Sequence, residues 1–408
     1  MGEEARRTGA GSLDRYTMCH ETSHRRTTCG TSIWLSVLVA LSSSWLPSCA
    51  APRRGVTTLT EEDKSYRFLV DRMANRNGGI HRQIIVKKPR NPAPKTYLSE
   101  TVGLLMRYQV TIDDRRNFER QFQLITDLFL DGQGLMQWRV TVPPREERRC
   151  NASLDDLRVA EALLLGYERW GHRRYLWLAL RLSAELLTKN LVGDYFVEAY
   201  CWGQVPQKAT IVDLSYLKLS AMKKLSHYDP RWRRIYQTSR EVLTAAKLPS
   251  GFFWDKFDPL TRRYAIQDAN LINNLLCAIN LAEVGEFNNE VLAYLREEWR
   301  LREKVYGRYD PVTLKPLARF ESIAVYALLM RLALLHADEA FATALFERIK
   351  RFQINNEASY FNGAFADDVA HSFDQLMCLL AISSYRAMRA KQRRTPAMPP
   401  LRLQTRYP

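Results

Sequence analysis

The sequence lacks the short motifs that mark several common classes of enzyme. Its 408 residues contain no glycine-rich nucleotide loop, no flavin-binding pattern and no serine-nucleophile motif. Histidines are few, and the seven that occur are scattered along the chain. The absence of a CxxC pair or a Cys/His cluster argues against a structural zinc site. We therefore predict neither a bound metal nor a cofactor.

Long apolar runs and an excess of acidic charge are also missing. The one conspicuous apolar run, residues 33–41, is too short for a comfortable membrane span. Lys and Arg total 60 against 44 Asp and Glu, a formal net charge of +16, and part of this excess lies in the two tails. A basic balance attracts anionic surfaces or polymers. Because no RNA-binding signature or compact basic domain is present, we do not expect nucleic-acid binding.

The N-terminal segment has the features of an export signal. Arg25 and Arg26 precede the apolar run, and the sequence Leu-Pro-Ser-Cys then ends at Cys49. This order resembles a bacterial lipoprotein signal, in which Cys49 would carry the lipid. A cleaved signal without lipid and an uncleaved anchor are the alternatives, and Met18 is an alternative start. We predict an extracytoplasmic protein that is secreted or membrane-anchored.

The composition divides the chain into four segments. Residues 1–49 form the signal, 50–58 a linker, 59–390 a helical domain, and 391–408 a basic disordered tail. Four widely spaced cysteines follow Cys49. Export permits disulfides among them, but their spacing does not imply any.

A helical pattern begins near residue 59 and continues through the domain. Helix-ending glycines and helix-starting Asp or Pro residues punctuate it, for example Gly171, Pro230 and Gly285. After a first segment near 59–73, we predict eleven more helices near 99–112, 115–130, 154–170, 172–190, 211–227, 229–247, 267–284, 286–304, 319–336, 338–353 and 371–390.

These twelve helices form closely joined pairs. The first helix of each pair is the more apolar and the second carries more charge, as expected for an inner and an outer ring. We therefore predict an all-α (α/α)6 toroid. An open solenoid of helix pairs is the competing architecture, although it should show a more regular repeat length.

The connections between pairs are long and rich in aromatic residues. Some contain short β segments, such as "GLMQWRVTV" and "GFFWDKFDPLTRRYAI", which we expect to cover one end of the ring. Aromatic rings on loops presented by a rigid scaffold suit the faces of sugars. The candidate aromatic platforms are Trp138, Trp202, Tyr216, Trp254 and Tyr309.

Acidic residues recur where inner helices should begin. Each is explained locally as a cap or as a partner of the helix dipole. A ring, however, would direct all of them towards one central cavity, and hydrolysis of a polysaccharide requires two carboxyl groups across the scissile bond. The candidates are Glu100, Asp155, Asp156, Asp213 and Asp268.

Three blocks of sequence resemble glycoside hydrolase family 8, whose members are inverting (α/α)6 enzymes. The closest similarity is to a divergent branch of exopolysaccharide-degrading hydrolases, and bacterial endoglucanases are more distant. The resemblance covers about residues 60–390. The matching positions are Ser99, Glu100 and Gly103; Gly134, Leu135, Met136 and Trp138; and Ala152, Ser153, Asp156 and Leu157.

The resemblance implies roles for the carboxyl groups. Glu100 would be the general acid, which must hold a proton at the working pH. Asp268, followed by Ala269 but preceded by Gln267 where the family has Tyr, would be the base, with Asp213 as the fallback. Leu154 stands where the family has a further Asp, so Asp155 or Asp156 would hold sugar hydroxyls.

The function predicted from this pattern is an exported, monomeric endo-glycosidase that inverts the anomeric centre. Its substrate would be a bacterial exopolysaccharide or a β-1,4-glucan. Two alternatives belong to other classes. One is a catalytically inactive carbohydrate-binding relative within a polysaccharide synthesis or export system, and the other is a helical scaffold that binds protein.

Overall fold

The computed structural model describes residues 59–86, 95–132, 134–142, 149–266 and 269–394. Outside these residues lie the predicted signal with Cys49, the predicted linker, most of the predicted basic tail, and Asp268. The described part contains twelve α-helices, which confirms the predicted number. They are α1 Glu61–Phe68, α2 Ser99–Thr111, α3 Arg115–Leu124, α4 Ser153–Trp170, α5 Arg173–Lys189, α6 Leu219–Leu225, α7 Arg231–Ala245, α8 Leu271–Ala282, α9 Asn289–Arg302, α10 Ile323–Leu335, α11 Glu339–Lys350 and α12 Ser372–Arg394.

The even-numbered helices form a closed inner ring. Each packs against the next even-numbered helix along the chain, and α12 packs against α2. The predicted (α/α)6 toroid is therefore confirmed, and an open solenoid is excluded because its ends would not meet. Since an outer helix returns the chain between successive inner helices, the inner helices run in one direction. Their N-terminal ends consequently gather at one end of the ring.

The number of buried residues distinguishes the inner helices from the outer ones. In α10, every residue from Ile323 to Met330 is buried, whereas the outer helix α9 buries only four residues. A helix that is apolar on all sides is stable only when neighbours surround it. Several helices depart from the predicted bounds. The short α6 replaces a predicted helix over 211–227, α3 ends six residues earlier than predicted, and α8 and α10 each begin four residues later. Helix α12 continues to Arg394, four residues into the predicted tail.

Short strands precede the inner helices and pair into small sheets at the end of the ring where those helices begin. This agrees with the β segments expected in the aromatic connections. Neighbouring strands pair as β1–β14, β2–β3, β4–β7–β8, β5–β6, β9–β10–β11 and β12–β13. The strands are β1 Gln83–Ile85, β2 Lys95–Leu98, β3 Arg139–Val142, β4 Arg149–Cys150, β5 Leu191–Val192, β6 Tyr195–Phe196, β7 Tyr200–Trp202, β8 Gln207–Lys208, β9 Val212–Asp213, β10 Lys256–Asp258, β11 Arg263–Ala265, β12 Arg308–Tyr309, β13 Pro316–Ala318 and β14 Val369–His371.

A disulfide fixes one of these sheets. Cys150 on β4 and Cys201 on β7 lie directly opposite each other and are bonded. Cys277 and Cys378 are buried free thiols. Among the described residues, no helix is both long enough and apolar enough to cross a membrane.

A layer of buried charges joins the inner helices inside the ring. Arg107 on α2 binds Glu161 on α4, with 2.7 Å between Nη1 and Oε2. Glu283, at the end of α8, accepts hydrogen bonds from Lys218 and from Arg331 on α10. Three cations thus share two carboxylates where unpaired charges would be costly. The layer links five of the six inner elements.

Candidate active site

Glu100 lies at the end of the ring where the inner helices begin, in the first turn of α2. Strand β2 leads directly into this helix, and the Ser99 backbone N–H donates to the Trp138 carbonyl at 3.0 Å. Ser99 and Thr101 are buried, whereas 16% of the Glu100 side chain is exposed. The helix start therefore fixes the backbone while part of the Glu100 side chain stays exposed.

A network with α4 holds the Glu100 carboxylate. Arg158 Nη1 lies 3.1 Å from Glu100 Oε1 and 3.3 Å from Asp155 Oδ1. The Ser99 hydroxyl donates to the other Asp155 oxygen at 2.9 Å. Gly103 permits this arrangement, because a Cβ there would lie only 2.8 Å from the Arg158 Cβ. The predicted Ser-Glu-x-x-Gly pattern thus has a structural meaning: the glycine brings the arginine beneath the glutamate.

The side chains of Asp155 and Asp156 are buried, and Asp156 accepts a hydrogen bond from Asn151 at 2.7 Å. Burial, reinforced by the charge of Asp155, raises the pKa of Asp156 well above its usual range. The expectation that one of these residues holds sugar hydroxyls is therefore not supported. Asp155 positions Ser99 and Arg158, and Asp156 anchors the start of α4.

Asp213, the fallback base, ends a strand rather than entering a helix. Its carboxylate accepts hydrogen bonds from the Ser215 hydroxyl at 2.7 Å and from Lys256 Nζ at 2.9 Å. Burial lowers the pKa of Lys256, but the carboxylates of Asp213 and Glu198 outweigh this effect, so that the pKa is raised. A carboxylate held by a permanent cation is poorly suited to accept a proton from water.

The backbone directly after Asp268 has an unusual conformation. Ala269 has a φ of 50°, in the left-handed region, and its N–H donates to Asp255 Oδ2 at 3.2 Å. Asn270 then caps α8 by accepting from the Ile272 N–H. Left-handed backbone at a residue other than glycine costs free energy and persists where its surroundings enforce it. The hydrogen bond to Asp255 thus holds the backbone at Ala269.

The predicted aromatic platforms divide into two groups. Trp138, Tyr216 and Trp254 are partly exposed, and Trp138 lies beside Ser99 with the Arg139 guanidinium 4.7 Å from its ring centre. Trp202 is 7% exposed and Tyr309 is 1% exposed. The prediction that these last two bind sugar is not supported, because both rings pack in the core.

Sequence reasoning missed two residues of this site. Arg158 lies one helical turn after Asp155, but nothing in the sequence indicates that it pairs across helices with Glu100. Asp374 is the third residue of α12, and burial raises its pKa to about 7. The rule that identified the other acidic helix starts would have identified Asp374 had it been applied to the last inner helix.

No family model matches the chain. It is 30% identical over 289 residues to the Bacillus subtilis (strain 168) protein named "Putative lipoprotein YdaJ", which covers 70% of this chain and 78% of the Bacillus protein. The chain belongs to the family of this Bacillus protein.

Two solved structures share the fold of this chain. A novel alpha-amylase from Clostridium perfringens superposes with a TM-score of 0.72 at 24% identity, over 80% of this chain and 98% of that chain. The endoglucanase Cel10 from Klebsiella pneumoniae, a family 8 glycosyl hydrolase, superposes with a TM-score of 0.55 at 17% identity, over 78% of this chain and 99% of that chain. The resemblance to glycoside hydrolase family 8 is therefore confirmed in the fold.

Proposed function

We propose that this protein is an exported endo-glycosidase that cleaves a bacterial exopolysaccharide or a β-1,4-glucan with inversion. The observation that carries the proposal is Glu100, a partly exposed carboxylate at the end of the ring where the inner helices begin, paired there with Arg158. The similarity to a protein named as a lipoprotein supports export, and the glycosidase neighbours support the reaction class.

In this proposal, Glu100 donates a proton to the oxygen of the leaving sugar. Asp268 removes a proton from the attacking water, which lies on the opposite face of the sugar ring, as an inverting mechanism requires. Trp138 and Trp254 offer ring faces for the sugars. The ion pair of Asp213 with Lys256 favours Asp268 over Asp213 as the base.

The test is the release of reducing ends from soluble glucans, amino-sugar polymers and bacterial matrix, with the anomeric form of the product followed by NMR. We expect Glu100→Gln and Asp268→Asn each to lower turnover by about 10²–10⁴-fold, as for the loss of a general acid or base. Both variants should fold and bind the polymer. Wild-type turnover in Glu100→Gln, or retention of the anomeric form, would contradict the mechanism.

The same experiment separates the alternatives. A carbohydrate-binding relative would bind a polymer on the panel without releasing sugar, and both variants would then bind as the wild type does. The protein-binding scaffold is disfavoured because the helix ring is closed, which removes the open concave surface that a solenoid would present.

A further inference from the structure

An exposed aromatic side chain lies at the end of the ring where the inner helices begin. Phe320 comes three positions before Ile323, the first residue of α10, and is 54% exposed. Single exposed apolar side chains are common on protein surfaces and by themselves indicate no ligand. Phe320 differs from them because the fold clears a place for its ring and fixes the backbone that carries it.

Gly307 makes room for the Phe320 ring. A Cβ at this glycine would lie 2.5 Å from Phe320 Cζ and 3.1 Å from Phe320 Cδ2, which is closer than carbon atoms pack. The backbone of Gly307 lies outside the left-handed region, so its conformation does not require glycine. The close approach of the ring does require it. Phe320 therefore lies directly against the Gly307 backbone, with the rest of its ring exposed.

Hydrogen bonds hold the chain at and directly after Phe320. The Gly307 N–H donates to the Phe320 carbonyl oxygen at 2.9 Å. Glu321, the next residue, accepts hydrogen bonds from the Tyr326 hydroxyl on α10 and from Arg348 on α11. A side chain on a backbone fixed in this way loses little further entropy when a ligand binds, which favours binding.

This contact lies beside the start of α8, across the ring from Glu100. The Gly307 carbonyl oxygen accepts from the N–H of Leu271, the first residue of α8, at 3.1 Å. In the closed ring of six inner helices, α8 stands opposite α2, which carries Glu100. The carbonyl of the partly exposed Trp138 accepts from the first N–H of α2. A polymer that crosses this end of the ring past Glu100 would thus meet one aromatic side chain near α2 and another near α8.

We propose that Phe320 is a sugar platform that binds one pyranose unit of the polysaccharide on the α8 side of the ring. The C–H bonds on one face of a pyranose pack against an aromatic ring, while the hydroxyl groups at its rim stay in water. The inference rests on the proposed function, because it assigns a binding position to the polymer that the protein would cleave. Phe320 carries no group that transfers a proton, so it contributes to binding and not to the chemical step.

Phe287 provides a matched control for a test of this platform. It is 52% exposed, and it lies between α8 and α9, at the end of the ring where the inner helices finish. Binding of each soluble glucan and amino-sugar polymer of the panel is measured by affinity electrophoresis, and KM and kcat by the release of reducing ends. We expect Phe320→Ala to weaken binding and raise KM by about five- to tenfold, with kcat unchanged. Phe287→Ala, and Phe320→Tyr, which keeps the ring, should match the wild type.

The outcomes distinguish this inference from the proposed function. If Phe320→Ala binds and cleaves as Phe287→Ala does, Phe320 is no platform, and the proposed glycosidase is unaffected. If Phe320→Ala binds more weakly but the wild type releases no reducing ends, the platform is supported and the proposed cleavage fails. If the wild type binds none of these polymers, both proposals fail.

Two further measurements test other roles for the ring. A merely structural role would lower the Tm of Phe320→Ala and leave polymer binding by the folded protein unchanged, whereas a platform predicts the wild-type Tm, as for most exposed side chains. Analytical ultracentrifugation tests whether the ring instead joins two copies of the chain. A dimeric wild type that becomes monomeric in Phe320→Ala would overturn the inference.

Discussion

Substituting Gly103 by Ala should displace the charge network beneath Glu100. An added Cβ would lie 2.8 Å from the Arg158 Cβ and 3.1 Å from the Val159 nitrogen. Carbon atoms normally separate by about 3.5–4.0 Å, so helices α2 and α4 would have to part by about 0.7–1.2 Å. The atoms in contact belong to the backbone and its first carbon, so a change of rotamer cannot relieve them.

Two measurable losses should follow. Overpacking of a buried contact lowers the unfolding free energy by about 1–3 kcal/mol. In a domain approaching this size, each kcal/mol lost lowers the Tm by about 2–4 °C. A displacement of about 1 Å in a catalytic group costs about 10²-fold in turnover. We therefore expect Gly103→Ala to remain folded but with a lower Tm, and to lose far more sugar release than its stability loss explains.

Gly132→Ala is the matched control, because a Cβ at this glycine would meet no atom within 4 Å. Its Tm and its release of reducing ends should equal those of the wild type. Differential scanning calorimetry and the reducing-end assay should be run on the same preparations. If Gly103→Ala matches Gly132→Ala in both measurements, the close approach of α2 and α4 does not position the Glu100 carboxylate.

Two further predictions concern stability. Glu283→Gln removes the carboxylate that Lys218, Arg331 and Arg107 share and should lower the unfolding free energy, measured by urea unfolding, by about 3–5 kcal/mol. Glu286→Gln breaks a more exposed pair with Arg240 and should cost under about 1 kcal/mol. Equal losses in the two variants would refute the difference. Replacing Cys150 and Cys201 by Ser opens a loop of 51 residues and should cost about 4 kcal/mol by loop entropy. Dithiothreitol should reproduce that loss in the wild type only, and an unchanged unfolding midpoint would contradict it.

The helix ring could be predicted from sequence because its causes are local. Apolar and charged helices alternate along the chain, and glycine or proline marks many of their ends. The departures also have local causes. Asp213 accepts bonds from the Ser215 N–H and hydroxyl, and this local capping starts a 3₁₀ turn where a longer helix was predicted.

The site could be predicted only in part, because its decisive contacts join distant segments. Glu100 was identifiable from its position at a helix start. Its partner Arg158 is 58 residues away, and the two are joined only when α2 and α4 pack. Which aromatic side chains would be buried was equally hard to predict from the sequence. Tyr309 and Trp202 fit the pattern of cleft aromatics, yet both fill the core, since an aromatic residue in a loop serves either purpose.

The inner helices carry two polar layers at matching heights. Arg107, Glu161 and Arg331 each lie eight residues after the first residue of their helices, which corresponds to about 12 Å along the axis. The upper layer contains Glu100 and the lower layer contains the buried ion pairs. Because α2 and α4 contribute to both layers, the lower layer fixes the register in which Glu100 meets Arg158. The buried charges thus specify the geometry of the proposed site as well as stabilising the ring.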